Sequence, residues 1–161
     1  MPEAEPAVKV NPVKVTLEAQ SILSIRDTVN LEEMEQIHAT LYGELGAFMG
    51  KNGIEQSAMP IAITHKWDPP KFIDMECGIP IGAMDIATEG RVKLNTTHVG
   101  DAMKVEHWGD YHELEGTYNA FFDWLEKEGI EPAGAPWEVY ITDPGTEPDV
   151  AKWLTEIYVP L

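Results

Sequence analysis

The sequence has little positive charge and a single cysteine. Its 161 residues include 11 Lys and Arg against 28 Asp and Glu, which gives a formal net charge of −17 at pH 7. Proteins bind phosphate backbones and anionic membrane surfaces mainly through Lys and Arg, so this balance argues against nucleic acid or a membrane as the partner. The lone Cys77 excludes a disulfide within the chain and indicates a reducing compartment.

Long apolar runs and cofactor motifs are also missing from the sequence. No stretch approaches the roughly 18 apolar residues of a membrane span, and residues 1–3 lack the basic and apolar regions of a signal peptide. We therefore expect a cytoplasmic protein. No glycine-rich phosphate loop is present, and the group His107, Asp110 and His112 is interrupted by a turn at Gly109. We expect no metal and no cofactor.

What the sequence does contain is an internal repeat. Residues 52–55 (Asn-Gly-Ile-Glu) return 76 positions later as residues 128–131 (Glu-Gly-Ile-Glu). Residues 76–81 return 80 positions later as residues 156–161. Two similar halves usually pair with each other, and the seam between them is a natural ligand groove.

Hydrophobic periodicity predicts the same order of elements in both halves. Apolar residues recur at the helical period over residues 31–49 and again up to Gly129, and they alternate or cluster as in strands elsewhere. The predicted strands cover residues 13–17 continuing with a bend to 26, 58–67, 71–79, 100–108, 136–142 and 153–160.

The pattern predicts an α+β domain. Two pseudo-symmetric β-α-β-β halves, residues 13–80 and 100–161, would form an antiparallel sheet of about eight strands with helices on one face and a ligand groove between the halves. Residues 1–12 carry three prolines and are predicted to be a flexible extension.

The two copies differ most at Glu138 and Tyr140, which replace Ala62 and Thr64 of the first copy. Alternation along the strand puts Glu138 and Tyr140 on one face. Trp137 and its alternate neighbours lie on the other face, which we expect the helices to cover. A carboxylate in a groove is costly unless it is paired, so Glu138 would attract a cation or act as an acid–base group. The alternative is that Glu138 faces water or pairs with a lysine across the sheet.

Aromatic residues in or near the predicted strands are candidates for the walls of this groove. Aromatic rings stack on flat ligands and attract cations through the ring quadrupole, with about 0.5–2 kcal/mol for each contact. Alternation turns Trp137 away from Glu138, and the spacing does not determine the faces of Trp67 and Trp108. The candidate ligand-binding residues are Glu138, Tyr140, Trp67, Trp108, Tyr111 and Trp137.

Three stretches resemble one known family. The pattern His107-x-Gly109-x-Tyr111-x-x-Leu114 and the stretches 137–144 and 155–160 are similar to the GyrI-like small-molecule-binding domain. This domain is also fused, as the effector-binding domain, to AraC- and MerR-type multidrug-sensing regulators. The resemblance covers residues 13–161 and implies two β-α-β-β halves with a groove between them. In members that bind lipophilic cations, the glutamate that matches Glu138 lies in the pocket among aromatic residues.

The resemblance implies three functions. About 12 residues precede the first strand, too few for a helix-turn-helix, so we expect a stand-alone protein that binds bulky aromatic, lipophilic and often cationic small molecules. An alternative is a hydrolase of cyclopropane-containing genotoxins, in which Glu138 would be catalytic and would position water. A third is inhibition of a protein partner, as the gyrase-inhibitor name suggests, with the acidic surface mimicking DNA. We favour the first, which needs no enzymatic activity.

Overall fold

A computed structural model describes residues 9–68 and 71–161, without the side chains of Trp67 and Asp68. Most of the predicted extension at residues 1–12 lies outside the described residues. The strands are β1 (Val13–Leu17), β2 (Ser21–Asn30), β3 (Ile61–Asp68), β4 (Phe72–Ile81), β5 (Lys93–Thr96), β6 (Gly100–Trp108), β7 (Trp137–Tyr140) and β8 (Leu154–Pro160). The α-helices are α1 (Met34–Asn52) and α2 (Leu114–Lys127), and short 3-10 helices cover Leu31–Glu33, Tyr111–Glu113 and Val150–Lys152.

The strands form one antiparallel sheet in the order β1-β6-β8-β7-β3-β4-β2-β5. β3 and β7 pair at its centre, and β4 and β2 on one side mirror β8 and β6 on the other. The predicted eight-stranded α+β domain with two similar halves is therefore confirmed. Each half also has a short strand at its start, and these two strands are exchanged. β1 pairs with β6 of the second half, and β5 pairs with β2 of the first.

The two helices cover the outer strands of the sheet and leave its centre between them. Leu41 and Leu45 of α1 are buried in a core with residues of β2 and β4. Phe121 and Leu125 of α2 are buried in a second core with residues of β6 and β8. Among the described helices, none combines the length and the apolar character needed to cross a membrane.

Matching glycines end both helices. Gly53 follows α1 with φ 63°, and Gly129 ends the turn after α2 with φ 70°. A left-handed residue at this position is common at helix ends, and glycine adopts it without a steric penalty. The helix starts, Met34 and Leu114, lie 80 positions apart, whereas the two glycines lie 76 apart, because α1 is the longer helix. The offset returns to 80 after the central strands, because Val139 and its partner Glu156 are 17 positions apart whereas Ile63 and its partner Glu76 are 13 positions apart.

Candidate functional site

Glu138 lies at the centre of the sheet, on the seam between the halves. β7 pairs with β3 so that Glu138 is opposite Ala62. The Tyr118 hydroxyl donates to Glu138 Oε2 at 2.7 Å, and the Tyr140 hydroxyl donates to Oε1 at 3.0 Å. Burial raises the pKa of the Glu138 carboxyl, whereas both phenol hydrogen bonds oppose this by favouring the charged form.

The face that carries Glu138 is the helix-covered face, so the sequence-based assignment of the two faces was wrong. Tyr118 belongs to α2, and His38 of α1 lies with its Nε2 3.0 Å from the Tyr140 hydroxyl. The expectation failed because it assumed an apolar layer under the helices. The helices pack on the outer strands, and the space above the central strands holds polar side chains that bond to one another.

Trp137 faces the other way. Its ring stacks on Tyr158 with centroids 5.2 Å apart and planes only 4° from parallel. Trp108 is also outside the Glu138 cluster: it is 55% exposed, and in β6 it alternates with His107, which turns inward to bond Thr117 of α2. Both tryptophans were candidate ligand-binding residues, but neither belongs to the Glu138 cluster. The side chain of the third candidate, Trp67, lies outside the described residues.

Tyr111 and Tyr140 do lie with Glu138, in a continuous group of aromatic rings. The Tyr140 ring centroid is 5.8 Å from that of Tyr111 and 6.5 Å from that of Tyr42. Tyr111 in turn packs against Trp153, with centroids 5.4 Å apart. We call the residues His38, Tyr42, Tyr111, Tyr118, Glu138, Tyr140 and Trp153 the Glu138 cluster.

Four members of this cluster are not among the residues that the sequence pattern predicts. His38, Tyr42 and Tyr118 lie on helices, where aromatic residues usually belong to the core, and Trp153 lies just before β8. The phenol hydroxyls were the available signal, because a buried tyrosine needs a hydrogen-bond partner that phenylalanine does not. The Tyr42 hydroxyl donates to the carbonyl of Ile61, and that of Tyr118 donates to Glu138.

The cluster carries at most one charge near neutral pH. Burial raises the pKa of Tyr42, Tyr118 and Tyr140 well above that of a free phenol, so these hydroxyls keep their protons. Burial lowers the pKa of His38, which favours the neutral imidazole. The cluster therefore offers one carboxylate, several neutral donors and the faces of aromatic rings. This combination can balance a single positive charge.

Two cavities lie elsewhere in the described part of the chain. One of about 310 Å³ lies on the opposite face of the sheet beside Trp137, His98 and Pro160. The other, of about 320 Å³, lies between α1 and residues 89–92. Glu138 lines neither of them.

The chain belongs to the family of the GyrI-like small-molecule-binding domain, whose model matches residues 11–161. No curated protein matches the chain in sequence.

Several solved structures share the fold. The C-terminal domain of EcmrR is 21% identical, with a TM-score of 0.77 over 95% of this chain and 98% of that domain. EcmrR in a complex with DNA is 23% identical, with a TM-score of 0.83 over 94% of this chain. The match covers only 57% of that regulator, so the chain spans little more than half its length.

Two further structures with the same fold are more distant. SAV2435 bound to tetraphenylphosphonium is 13% identical, with a TM-score of 0.60 over 95% of this chain and 93% of that protein. A hydrolase from Listeria innocua is 16% identical, with a TM-score of 0.62 over 92% of this chain and 90% of that protein.

Proposed function

We propose that this domain binds bulky, lipophilic aromatic cations between α1 and α2, with Glu138 as the counter-ion. The observation that carries the proposal is the set of partners of Glu138. Within the described residues, its carboxylate bonds only to the hydroxyls of Tyr118 and Tyr140 and forms no salt bridge. Glu138 is half-buried. A carboxylate partly removed from water and without a positive partner is costly, and a bound cation would supply the missing charge.

The aromatic members of the cluster suit the apolar part of such a ligand. Tyr42, Tyr111, Tyr140 and Trp153 present rings around the carboxylate, and ring faces attract organic cations. Tyr118 stacks on Phe122, which is 37% exposed and leads from the cluster to the surface. A bulky ligand would enter by displacing some of these side chains. The family description and the tetraphenylphosphonium-bound relative support this class of ligand.

The deciding experiment compares a cation with a neutral molecule of the same shape. We expect 10-methylacridinium to bind at micromolar affinity and to quench tryptophan fluorescence, since Trp153 belongs to the cluster. Glu138→Gln should weaken 10-methylacridinium strongly and should change the binding of acridine, measured at mildly alkaline pH where acridine is neutral, much less. Equal losses for both ligands would refute the electrostatic role.

Glu156→Gln is the matched control. Glu156 lies on the adjacent strand β8, opposite Val139 and on the other face of the sheet from Glu138, and its carboxylate is paired with Lys104 at 3.0 Å and accepts from Tyr158 at 2.8 Å. Because the Lys104 charge already balances Glu156, this variant should leave the ratio of cation to neutral affinity unchanged.

A second candidate function is hydrolysis of a cyclopropane-containing alkylator. The observation that favours it is a carboxyl with a raised pKa beside two phenol hydroxyls, a set able to move protons to and from a reacting water. Mass spectrometry after incubation with such a compound would show ring opening by addition of one water. If Glu138→Gln forms the product as fast as the unchanged protein, or neither forms it, this candidate is dismissed.

A further inference from the structure

His38 makes one hydrogen bond to the other members of the Glu138 cluster. Its Nε2 lies 3.0 Å from the Tyr140 hydroxyl oxygen, and that hydroxyl lies 3.0 Å from Glu138 Oε1. The imidazole also packs edge-on against the rings of Tyr42 and Tyr140, with centroid distances of 4.9 and 5.4 Å. His38 therefore reaches the carboxylate only through Tyr140.

The Tyr140 hydroxyl has one proton, which it can donate either to Glu138 or to His38. If the proton points at Glu138, the phenol oxygen must accept from His38, which requires hydrogen on Nε2. If Nε2 carries no hydrogen, Tyr140 donates to His38 instead. The phenol oxygen would then face the carboxylate with a lone pair, and Glu138 would keep only the bond from Tyr118.

We propose that His38 is a positioning residue of the Glu138 site: by donating from Nε2 it holds the Tyr140 proton on the carboxylate, and so favours the charged form of Glu138 that a cation needs. This rests on the function proposed above. A donor aimed at a carboxylate lowers the free energy of its ionised form relative to its protonated form. His38 thereby sets the preference of the site for cations over neutral ligands.

The position of His38 matches that of Tyr118 in the other half. Each is the fifth residue of its helix, counted from Met34 and from Leu114. Tyr118 donates directly to Oε2, and His38 acts on Oε1 through Tyr140. Each helix thus directs one polar side chain from an equivalent turn toward the one carboxylate on the seam.

Burial, and not a neighbouring charge, is what lowers the pKa of His38. The titratable groups around His38 and the carboxylate it acts on are Tyr42 on α1, Glu138 and Tyr140 on β7, Tyr118 on α2, Tyr111 just before α2 and His107 on β6. The phenols are neutral, since burial raises the pKa of each. In acid, protonation of His38 would add a positive charge that competes with the ligand, and protonation of Glu138 would remove the charge that attracts it. Both effects weaken cation binding as the pH falls.

Two substitutions of His38 separate donation from packing. His38→Leu fills much of the same space but cannot donate, and we expect it to weaken 10-methylacridinium about three- to tenfold while acridine changes less than about twofold. The pH at which half of the cation affinity is lost should also move upward in this variant. His38→Gln carries an amide N–H that reaches the place of Nε2, and it should recover most of the lost cation affinity.

Two control variants test whether the effect of His38 is specific and depends on the Tyr140 hydroxyl. His112→Gln changes a histidine whose side chain is 82% exposed and should leave both ligands unaffected. In a Tyr140→Phe background the hydroxyl is gone, so His38→Leu should have no further effect on the affinity ratio. Equal losses for both ligands in His38→Leu, or no recovery in His38→Gln, would overturn the proposal. If the unchanged protein binds neither ligand, the proposed function fails instead.

The tautomer of His38 can be measured without any ligand. Long-range ¹H–¹⁵N correlation spectra distinguish an imidazole protonated on Nε2 from one protonated on Nδ1, and the spectrum of His38→Gln identifies the His38 signals. We expect the Nε2–H tautomer at neutral pH. A neutral His38 with its hydrogen on Nδ1 would overturn the inference even if cations bind.

Discussion

Ala62 and Glu138 face each other across the seam of the repeat. They are cross-strand partners in the register of β3 and β7, and they occupy equivalent positions in the two halves. The Cβ atoms of such a pair lie about 4.5–5.5 Å apart. Because Ala62 is small, it does not crowd the carboxylate, whereas a second glutamate at this position would have placed a like charge beside it.

A larger side chain at position 62 should weaken ligand binding. We expect Ala62→Leu to weaken a bulky cation about tenfold or more, because the new side chain would project into the space beside Glu138. Overpacking should also cost about 1–3 kcal/mol of stability, which thermal unfolding would measure. Ile63→Leu serves as the control, because Ile63 lies next in β3 on the opposite face. Unchanged cation affinity in Ala62→Leu would mean that the ligand does not use this space.

The repeat made the sheet predictable, but not the exchange of its edge strands. Gly53 and Gly129 mark the end of the helix in each copy. The helical period before them and the strand period after them predict the same elements twice. The partners of β1 and β5 could not be read in the same way. Short alternating segments reveal a strand but carry no information about which edge they join.

The candidate site could be proposed from the sequence where the two copies differ. Comparing Ala62 with Glu138 singles out the carboxylate, and comparing Thr64 with Tyr140 singles out one of its donors. Periodicity places Glu138 and Tyr140 on one face of β7 and Trp137 and Val139 on the other. It does not show which of these two faces the helices cover. His38 and Tyr118 join the cluster only through the packing of α1 and α2 around the seam.

Glu138→Gln should stabilise the unliganded protein at neutral pH. Because burial raises the folded-state pKa of Glu138, the folded state favours its protonated form, and the charged form costs stability above that pKa. An uncharged amide avoids this cost, so we expect a gain of roughly 1 kcal/mol. Chemical unfolding measures the gain, which should shrink as the pH falls and the wild-type carboxyl takes up its proton. A gain that is the same in acid and at neutral pH would contradict this explanation.

Cation binding should be lost in mildly acidic solution. An ordinary glutamate stays charged until the pH nears about 4.3, but the raised pKa of Glu138 means that it takes up a proton at higher pH. We therefore expect the affinity for 10-methylacridinium to fall as the pH drops through this raised pKa, in a titration followed by fluorescence. A constant affinity down to the pKa of an ordinary glutamate would show that Glu138 is not the counter-ion.

The buried carboxylate of Glu76 should stabilise the first half of the fold. Glu76 is 8% exposed, and its oxygens bond to the hydroxyl of Ser24 at 2.5 Å, His65 at 2.8 Å and the amide of Asn95 at 3.1 Å. Ser24→Ala removes one of these donors from a site that water does not reach, so we expect a loss of about 1–3 kcal/mol in chemical unfolding.

The control for Ser24 is an exposed bond of the same kind. The hydroxyl of Thr16 donates to the carboxylate of Asp101 at 2.8 Å at the edge of the sheet, where water can replace it. Thr16→Ala should therefore cost less than Ser24→Ala. Equal costs would show that burial of the Glu76 network adds nothing to stability.

Cys77 should resist thiol reagents in the native protein. Cys77 on β4 lies opposite Ala62 on β3 and is fully buried. This burial raises the pKa of its thiol to about 12. Only the thiolate reacts readily, so we expect slow labelling by DTNB at neutral pH and immediate labelling in denaturant. Tyr42 lies beside the thiol, so Tyr42→Ala should speed the native reaction by removing the ring, whereas Tyr42→Phe keeps the ring and should not. Rapid labelling of the unchanged native protein would show that α1 opens from the sheet far more often than its buried core implies.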